Sequence, residues 1–358
     1  MKITNIKVDT VEVPLVEPFT ISLGTITHAK SAIVKVETDE GIFGYGEGGP
    51  GILITGENLP GTVDCIKVFE KALIGTDPTD LEKVYWILDR AAAHAPCGKT
   101  AIDMACYDIL GKKAGLPVYK LLGGYSNSIE TDITVGIDTP EYMAKKAAEF
   151  VKMGFNTIKT KVGTTTEEDI ARVKAIREAV GSGVKIRLDA NQGWSAKQAI
   201  QIIERLDEYD IELVEQPVPY YDFEGLEYVT KNSKVLIMSD ESCFNAKDAL
   251  RLVSRRAVDV VNIKLMKCGG IREALKINSI CETAGIECML GCMVEETNLG
   301  ITAAASLGAA TKNITRADLD ATFTLSELMF EGGIGTEVKK DLVLPEEPGF
   351  GFKGLKNR

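Results

Sequence analysis

The sequence has 358 residues, 45% of them hydrophobic, with 41 Lys and Arg against 52 Asp and Glu and a net charge of −11. That length fits a barrel of roughly 200 residues plus a smaller partner domain, and the apolar fraction excludes a disordered chain. The acidic balance repels phosphate and excludes nucleic acid as a partner. No run of 18 apolar residues is available to cross a membrane, and MKITNIKVDT lacks the apolar core of a secretion signal.

Residues 3–17 and 31–37 alternate and are rich in Val and Ile, so the chain is expected to open as a small antiparallel sheet. Gly41 and the GYGEGGPG stretch (44–51) read as turns. From Val63 the pattern becomes helical, and TAIDMACYDILGKKAG (100–115) places Ile102, Ala105, Cys106, Ile109 and Leu110 on one face, with Gly115 as a stop. Strands followed by helices make an α+β cap.

After LLGG (121–124) short β-rich segments alternate with helical ones. The strands are expected near 131–136, 156–161, 185–190, 211–215, 235–239, 259–264, 286–291 and 314–319, one every 24–29 residues. That is the length of a βα unit, and eight strands with seven helices predict a parallel (β/α)7β barrel, a modified TIM barrel, with a doubly wound open sheet as the competing arrangement. The expected division is a cap at 1–122, a barrel at 123–325 and a segment at 326–358 that returns to the cap. The eight cysteines form no CxxC pair and read as reduced thiols of a cytoplasmic protein.

Charged residues stand where the barrel strands end, which in this fold is the mouth of the active site. They are Lys159 and Lys161 in IKTKVG, Asp189 in RLDANQG, Glu215 in ELVEQP, Asp240 in MSDES and Lys264 in NIKLMKCGG. From Asp189 to Glu215, Asp240 and Lys264 each step is one βα repeat, so these side chains converge. Three carboxylates aimed at one point need neutralising, and all-oxygen ligation suits Mg²⁺, or Mn²⁺. The two histidines, His28 and His94, fall in the cap, so a histidine-rich metal site is excluded.

Lys159 and Lys161 are two apart in a strand and point to one side. A neighbouring cation and a metal are expected to lower the pKa of one amine toward general-base range. Lys264 approaches from the opposite side, so a carbanion formed beside a bound carboxylate, held as a metal-stabilised enediolate, would be protonated from either face. Asp318 and Asp320 close the eighth strand on one side and suit a substrate ammonium. Glu295 is given a supporting role in the site. GYGEGG lacks the spacing of a phosphate loop.

These motifs, in order from MKITNIKVDTVEVPL and YGEGGPG through KTKVG, LDANQGW, ELVEQP, SDES, NIKLMKCGG and ITRADLDA, resemble the enolase superfamily, its muconate-lactonizing subgroup, and within it the dipeptide epimerases. The resemblance implies that Asp189, Glu215 and Asp240 bind Mg²⁺. It makes Lys161 the base on one face, with Lys159 assisting, and Lys264 the acid/base on the other. Asp318 and Asp320 match the pair that binds the dipeptide's α-ammonium, and the C-terminal residue is the one epimerised. Homo-oligomeric assembly is also implied.

Substrate choice in this family rests on two cap loops, here near 17–28 and 49–58. Relatives that act on Ala-Glu are expected to carry an arginine in the first; PFTISLGTITH has none, and Gly24 stands near its place. Phe19, Ile21, Ile26, Ile52 and Ile54 point instead to a hydrophobic side-chain pocket. N-succinylamino acid racemase, o-succinylbenzoate synthase and muconate cycloisomerase share the lysines and carboxylates; the Asp318/Asp320 pair favours a substrate with a free amine. A catalytically silent binding protein would be free to lose one of the six central residues, and all six stand here.

Overall fold

The computed structural model describes residues 1–334 and 337–356. The chain opens with a long antiparallel hairpin, Ile3–Ile21 on Gly24–Thr38, and Phe43–Gly48 adds a third strand beside the second. The hairpin register shifts between Pro14 and Phe19. Pro14, opposite His28, is the last paired residue before the break, and neither it nor Pro18 has an N–H to donate to the ladder. Beyond the break the hairpin tip carries Phe19, Ile21 and Ile26 to the mouth of the barrel.

The GYGEGGPG stretch, expected as turns, is mostly strand. Gly44, Gly46 and Gly48 alternate on the face that meets the helix Pro96–Ala114, where a Cβ would collide with the carbonyls of Ala105, Ala101 and Cys97. Glycine at every second position lets the two backbones touch. The turn reading followed composition and missed the period of two. The helix itself is buried on almost all sides and ends at Gly115, whose φ of 68° is the left-handed stop expected there.

Eight parallel strands follow in sequence order: Ile133–Val135, Thr157–Lys161, Lys185–Asp189, Ile211–Glu215, Leu236–Ser239, Val260–Lys264, Glu287–Gly291 and Ile314–Asp318. The first and last are joined by Asp132 N–H to Ala317 O at 3.1 Å and Leu319 N–H to Thr131 Oγ1 at 2.8 Å, so the sheet closes into a barrel. A helix of at least ten residues links each strand to the next, from Pro140–Lys152 to Asn298–Ala310. Thr139, Thr165, Ser195, Asp222, Asn245 and Thr297 each cap one of these helices through a side-chain oxygen. The architecture is an α+β cap on a (β/α)7β barrel.

The tail packs back on the cap and the barrel. Phe330–Gly332 pairs with Phe352–Leu355, Asp341–Val343 pairs with Ser128–Glu130, and the Phe330 ring meets the cap's Tyr45 at 5.7 Å. All eight cysteines are free. Among the described residues no helix is long and apolar enough to cross a membrane.

Cap and barrel are joined by a buried acid. Glu47 accepts hydrogen bonds from Thr297 N–H (2.9 Å), Thr297 Oγ1 (2.9 Å) and Gly300 N–H (2.7 Å), at the N-terminus of the last barrel helix. The neighbouring Glu296 approaches the same spot, and a side chain at Gly300 would strike both carboxyls. Burial and then the Glu47 charge push Glu296 up to about 8, against the pull of the Met293 N–H; burial also raises Glu47.

A carboxyl whose folded pKa is raised holds its proton more tightly folded than unfolded, so its contribution is present at low pH and lost as pH rises. Stability of the metal-free protein is therefore expected to fall across pH 4.5–8. Glu296→Gln, which stays neutral, should flatten that decline and raise Tm by several degrees at pH 8 while changing little at pH 5, read by calorimetry. An unchanged slope would mean that Glu296 ionises freely in the folded state.

Candidate active site

Strand register builds the site. Lys161 pairs with Asp189 and Asp189 with Glu215, so three charged residues stand at one level on adjacent strands. Across the mouth Lys264 pairs with Gly291 and Gly291 with Asp318. A Cβ at Gly291 would come within 3.1 Å of Lys264 Cε and closer still to Asn262, so glycine there leaves room for the lysine. Asp240 lies just past the fifth strand, between the two arcs.

Asp189, Glu215 and Asp240 are fully buried, and one oxygen from each lies within 4.8 Å of the others. Glu215 Oε2 and both Asp240 carboxylate oxygens accept no directed hydrogen bond, although ammonium groups stand beside them. Burial and the Asp189 charge push Glu215 up to about 8. Buried carboxylate oxygens, mutually close, with no imidazole or thiolate among them, are the donor set of Mg²⁺. The residues present fit that ion.

Lys159 lies two residues deeper, its Nζ 2.6 Å from Asp318 Oδ2, 2.6 Å from Glu215 Oε2 and 3.0 Å from Asp189 Oδ2. Lys161 Nζ is 2.6 Å from Asp189 Oδ2, and Lys264 Nζ 2.9 Å from Asp240 Oδ2. Burial works against the charge of Lys159 and Lys264, but the surrounding carboxylates outweigh it and hold both pKa values above the usual lysine range. The lowering expected from sequence is for one amine of the Lys159/Lys161 pair beside a bound metal, and Lys159, held among these carboxylates, is not that amine. Lys159 faces Asp318, Glu215, Asp189 and Asp132 at once.

Asp318 and Asp320 are buried at the end of the eighth strand. Thr134 orients both: its N–H donates to Asp320 Oδ2 at 2.6 Å and its hydroxyl to Asp318 Oδ1 at 3.3 Å. Burial opposes the Asp318 charge, yet Lys159, Lys161 and Lys264 hold that carboxyl far below its ordinary range; burial and Asp318 push Asp320 up to about 6. A pocket above these groups is lined by Phe19, Ile21, Ile26, Ile54, Glu295 and the two lysines Lys161 and Lys264. Gly24 and Ile52 do not reach it. They line an outer cavity, and Ile52 is 63% exposed, because its loop turns that side chain to solvent.

Several residues were not singled out in the sequence. Asn191 donates its N–H to Asp189 Oδ1 (2.9 Å) and its amide to Glu241 Oε1 (3.1 Å), while Ser22 of the cap donates to its carbonyl. Asn262 donates to Glu215 Oε1 at 2.6 Å, and the buried Lys267 stands 2.5 Å from Asp240 Oδ1. Leu53, Cys292 and Met293 complete the pocket wall. Asn262 precedes Lys264 by two, so the strand period alone could have placed it inside the barrel. Trp194 packs inside and donates to Asp169 at 2.9 Å.

A closed parallel barrel with a carboxylate triad and opposed lysines at the C-terminal ends of its strands defines a metal-assisted proton-transfer site. Residues 3–123 match the mandelate racemase/muconate lactonizing enzyme N-terminal domain and residues 142–354 the enolase C-terminal domain-like family, and the chain belongs to this family. It is 61% identical over 352 residues to the hydrophobic dipeptide epimerase of Enterococcus faecalis, covering 98% of this chain and 99% of that one. It is 43% identical over 358 residues to the L-Ala-D/L-Glu epimerase of Bacillus subtilis, covering 99% and 97%. A crystal structure of the E. faecalis dipeptide epimerase complexed with Mg and L-Leu-L-Tyr superposes with a TM-score of 0.98 at 61% identity, over 98% and 99% of the two chains.

Proposed function

We propose that the chain is a Mg²⁺-dependent epimerase of dipeptides that inverts the α-carbon of the C-terminal residue and prefers apolar side chains. The observation that carries this reading is the buried carboxylate triad lying between Lys161 on the second strand and Lys264 on the sixth, with Asp318 and Asp320 beyond. When bound, the cation supplies the positive charge that offsets the second negative charge a carboxylate acquires as its α-proton leaves.

The chain's own groups do the rest. Asp318 and Asp320, held by Thr134, take the substrate's α-ammonium and so fix which carbon lies between the lysines. Lys161 removes or returns the proton on one face and Lys264 does so on the other. Lys159 keeps an ammonium between Asp318 and the triad and steadies the negative charge near the reacting carbon. Phe19, Ile21, Ile26 and Ile54 exclude water and receive an apolar side chain. The free cysteines support a reducing, cytoplasmic setting. Homo-oligomeric assembly, expected from the subgroup, is read directly by light scattering.

Incubation with Mg²⁺ and a mixed L,L-dipeptide library in D₂O is the test. Deuterium is expected at the C-terminal α-carbon, first in dipeptides with apolar side chains. Exchange confined to Ala-Glu would refute the pocket reading. Exchange in N-succinylamino acids and in no dipeptide would replace the dipeptide reading with the racemase one.

A further inference from the structure

Each carboxylate of the triad has two oxygens, and the barrel uses them differently. One oxygen of each meets a donor close by. Asp189 Oδ1 accepts the Asn191 N–H at 2.9 Å, Glu215 Oε1 accepts the Asn262 amide at 2.6 Å, and Asp240 Oδ1 lies 2.5 Å from the Lys267 ammonium. The other oxygen of each faces the active-site lysines. Asp189 Oδ2 meets Lys159 and Lys161, Glu215 Oε2 meets Lys159, and Asp240 Oδ2 meets Lys264. Each carboxylate thus turns one oxygen to the site while the second is already taken.

The three donors are anchored independently of the carboxylates. That of Asn191 is a backbone N–H, in a residue with φ of 38°. Lys267 stands on the short helix Leu265–Cys268 after the sixth strand, and its ammonium donates to the carbonyls of Asp240 (2.5 Å) and Asn262 (3.2 Å). Two carbonyls therefore hold it beside Oδ1. Asn262 is a buried residue within the sixth strand, and Gly291 on the next strand leaves room for its amide: a Cβ there would stand 2.7 Å from Asn262 Oδ1. Reversing that amide would set its carbonyl against the Glu215 carboxylate, so the NH₂ keeps its place. Neither Asn262 nor Lys267 lines the substrate pocket or has a part in the proton transfer above.

Divalent ions differ in what they take from a carboxylate. Ca²⁺ gathers about six to eight oxygens and readily takes both from one carboxylate, whereas the smaller Mg²⁺ holds to near-octahedral order and keeps water among its ligands. Three carboxylates with one oxygen each to give suit Mg²⁺ and leave Ca²⁺ short of ligands. We propose that Asn262 and Lys267 are positioning residues that restrict Glu215 and Asp240 to one ligand oxygen each, and so set the triad's selectivity for Mg²⁺ against Ca²⁺. The proposal rests on the reading of the triad as a divalent-cation site and is independent of which dipeptide is used.

Lys267→Met and Asn262→Leu each remove one donor at nearly constant side-chain volume. After chelator washing, calorimetric titration gives Kd for Mg²⁺ and for Ca²⁺. The two ions carry the same charge, so the effect of losing an ammonium cancels in their ratio. In each variant the affinity for Ca²⁺ relative to Mg²⁺ is expected to rise about tenfold over the unaltered protein, the low end of what such supporting contacts contribute. Infrared difference spectra on adding Ca²⁺ should show the antisymmetric and symmetric carboxylate stretches drawn together in the variants, the mark of a carboxylate bound through both oxygens. In the unaltered protein they should stay apart. A merely loosened fold would weaken both ions and leave that separation unchanged. An unchanged ratio in Asn262→Leu, which alters no charge, overturns the proposal, and Mg²⁺ binding by the unaltered protein then leaves the cation-site reading standing. Stretches already drawn together by Ca²⁺ in the unaltered protein overturn it without any variant. Binding of neither ion to the unaltered protein overturns both.

Discussion

Lys161→Ala and Lys264→Ala are each expected to lower epimerisation of an apolar L,L-dipeptide by about 10³-fold or more, since a positioned acid or base contributes roughly 10²–10⁴ and no other group occupies either position. The informative part is what survives. The two lysines stand on strands opposite each other, and each reaches only one face of a bound α-carbon. Removing one leaves the other able to take the proton from its own diastereomer and return a solvent deuteron to the same face. Each variant should therefore exchange the α-hydrogen of one diastereomer without inverting it, and the two variants should exchange opposite diastereomers. Mass spectrometry with chiral separation reads both. If either variant still epimerised within tenfold of the unaltered enzyme, two-base transfer by these lysines would be refuted.

Asp240→Asn is expected to lose both the metal and part of the fold. The side chain is wholly buried, and its carboxylate faces Lys264 at 2.9 Å and Lys267 at 2.5 Å. Burial opposes its charge, yet the two ammoniums hold it far below the usual carboxylate range. The amide keeps the shape and removes the charge, which strips one of three anionic oxygen ligands and leaves two buried cations short of a counter-ion. Breaking a buried pair in this way costs about 3–5 kcal/mol. After chelator washing, the Asp240→Asn variant should bind Mg²⁺ at least about 100-fold more weakly by calorimetric titration and melt several degrees lower without metal. Adding Lys267→Met to that variant should restore part of the lost stability, because it removes one orphaned charge, but not the metal affinity. Mg²⁺ binding as tight as in the unaltered protein would show that Asp240 is not a ligand.

The expected pH dependence around Glu47 and Glu296 was visible only after folding. In the sequence these are two of many acids. It is the strand Phe43–Gly48, pressed against Pro96–Ala114 by its glycines, that drives Glu47 into the N-terminus of the last barrel helix. Composition alone misread that strand as turns. The direction of the Lys159 shift was likewise beyond the sequence, because it depends on four carboxylates from separate parts of the barrel meeting one amine.

What the sequence determined by itself was the succession of βα units and the level of their charges; closure into a barrel rests on the bonds between the first and last strands. A repeat of 24–29 residues leaves little choice but successive βα units. Acids one repeat apart fall at equivalent heights on adjacent strands, because parallel pairing carries register from one strand to the next. The eight strands begin and end within two residues of where the alternation placed them. The tertiary structure decided which loop residues face inward. Ile52 turns to solvent, Leu53 takes its place in the pocket, and Glu295 lines that pocket beside Lys264. Loop side chains have no period to fix their direction; only packing of the cap against the barrel mouth does.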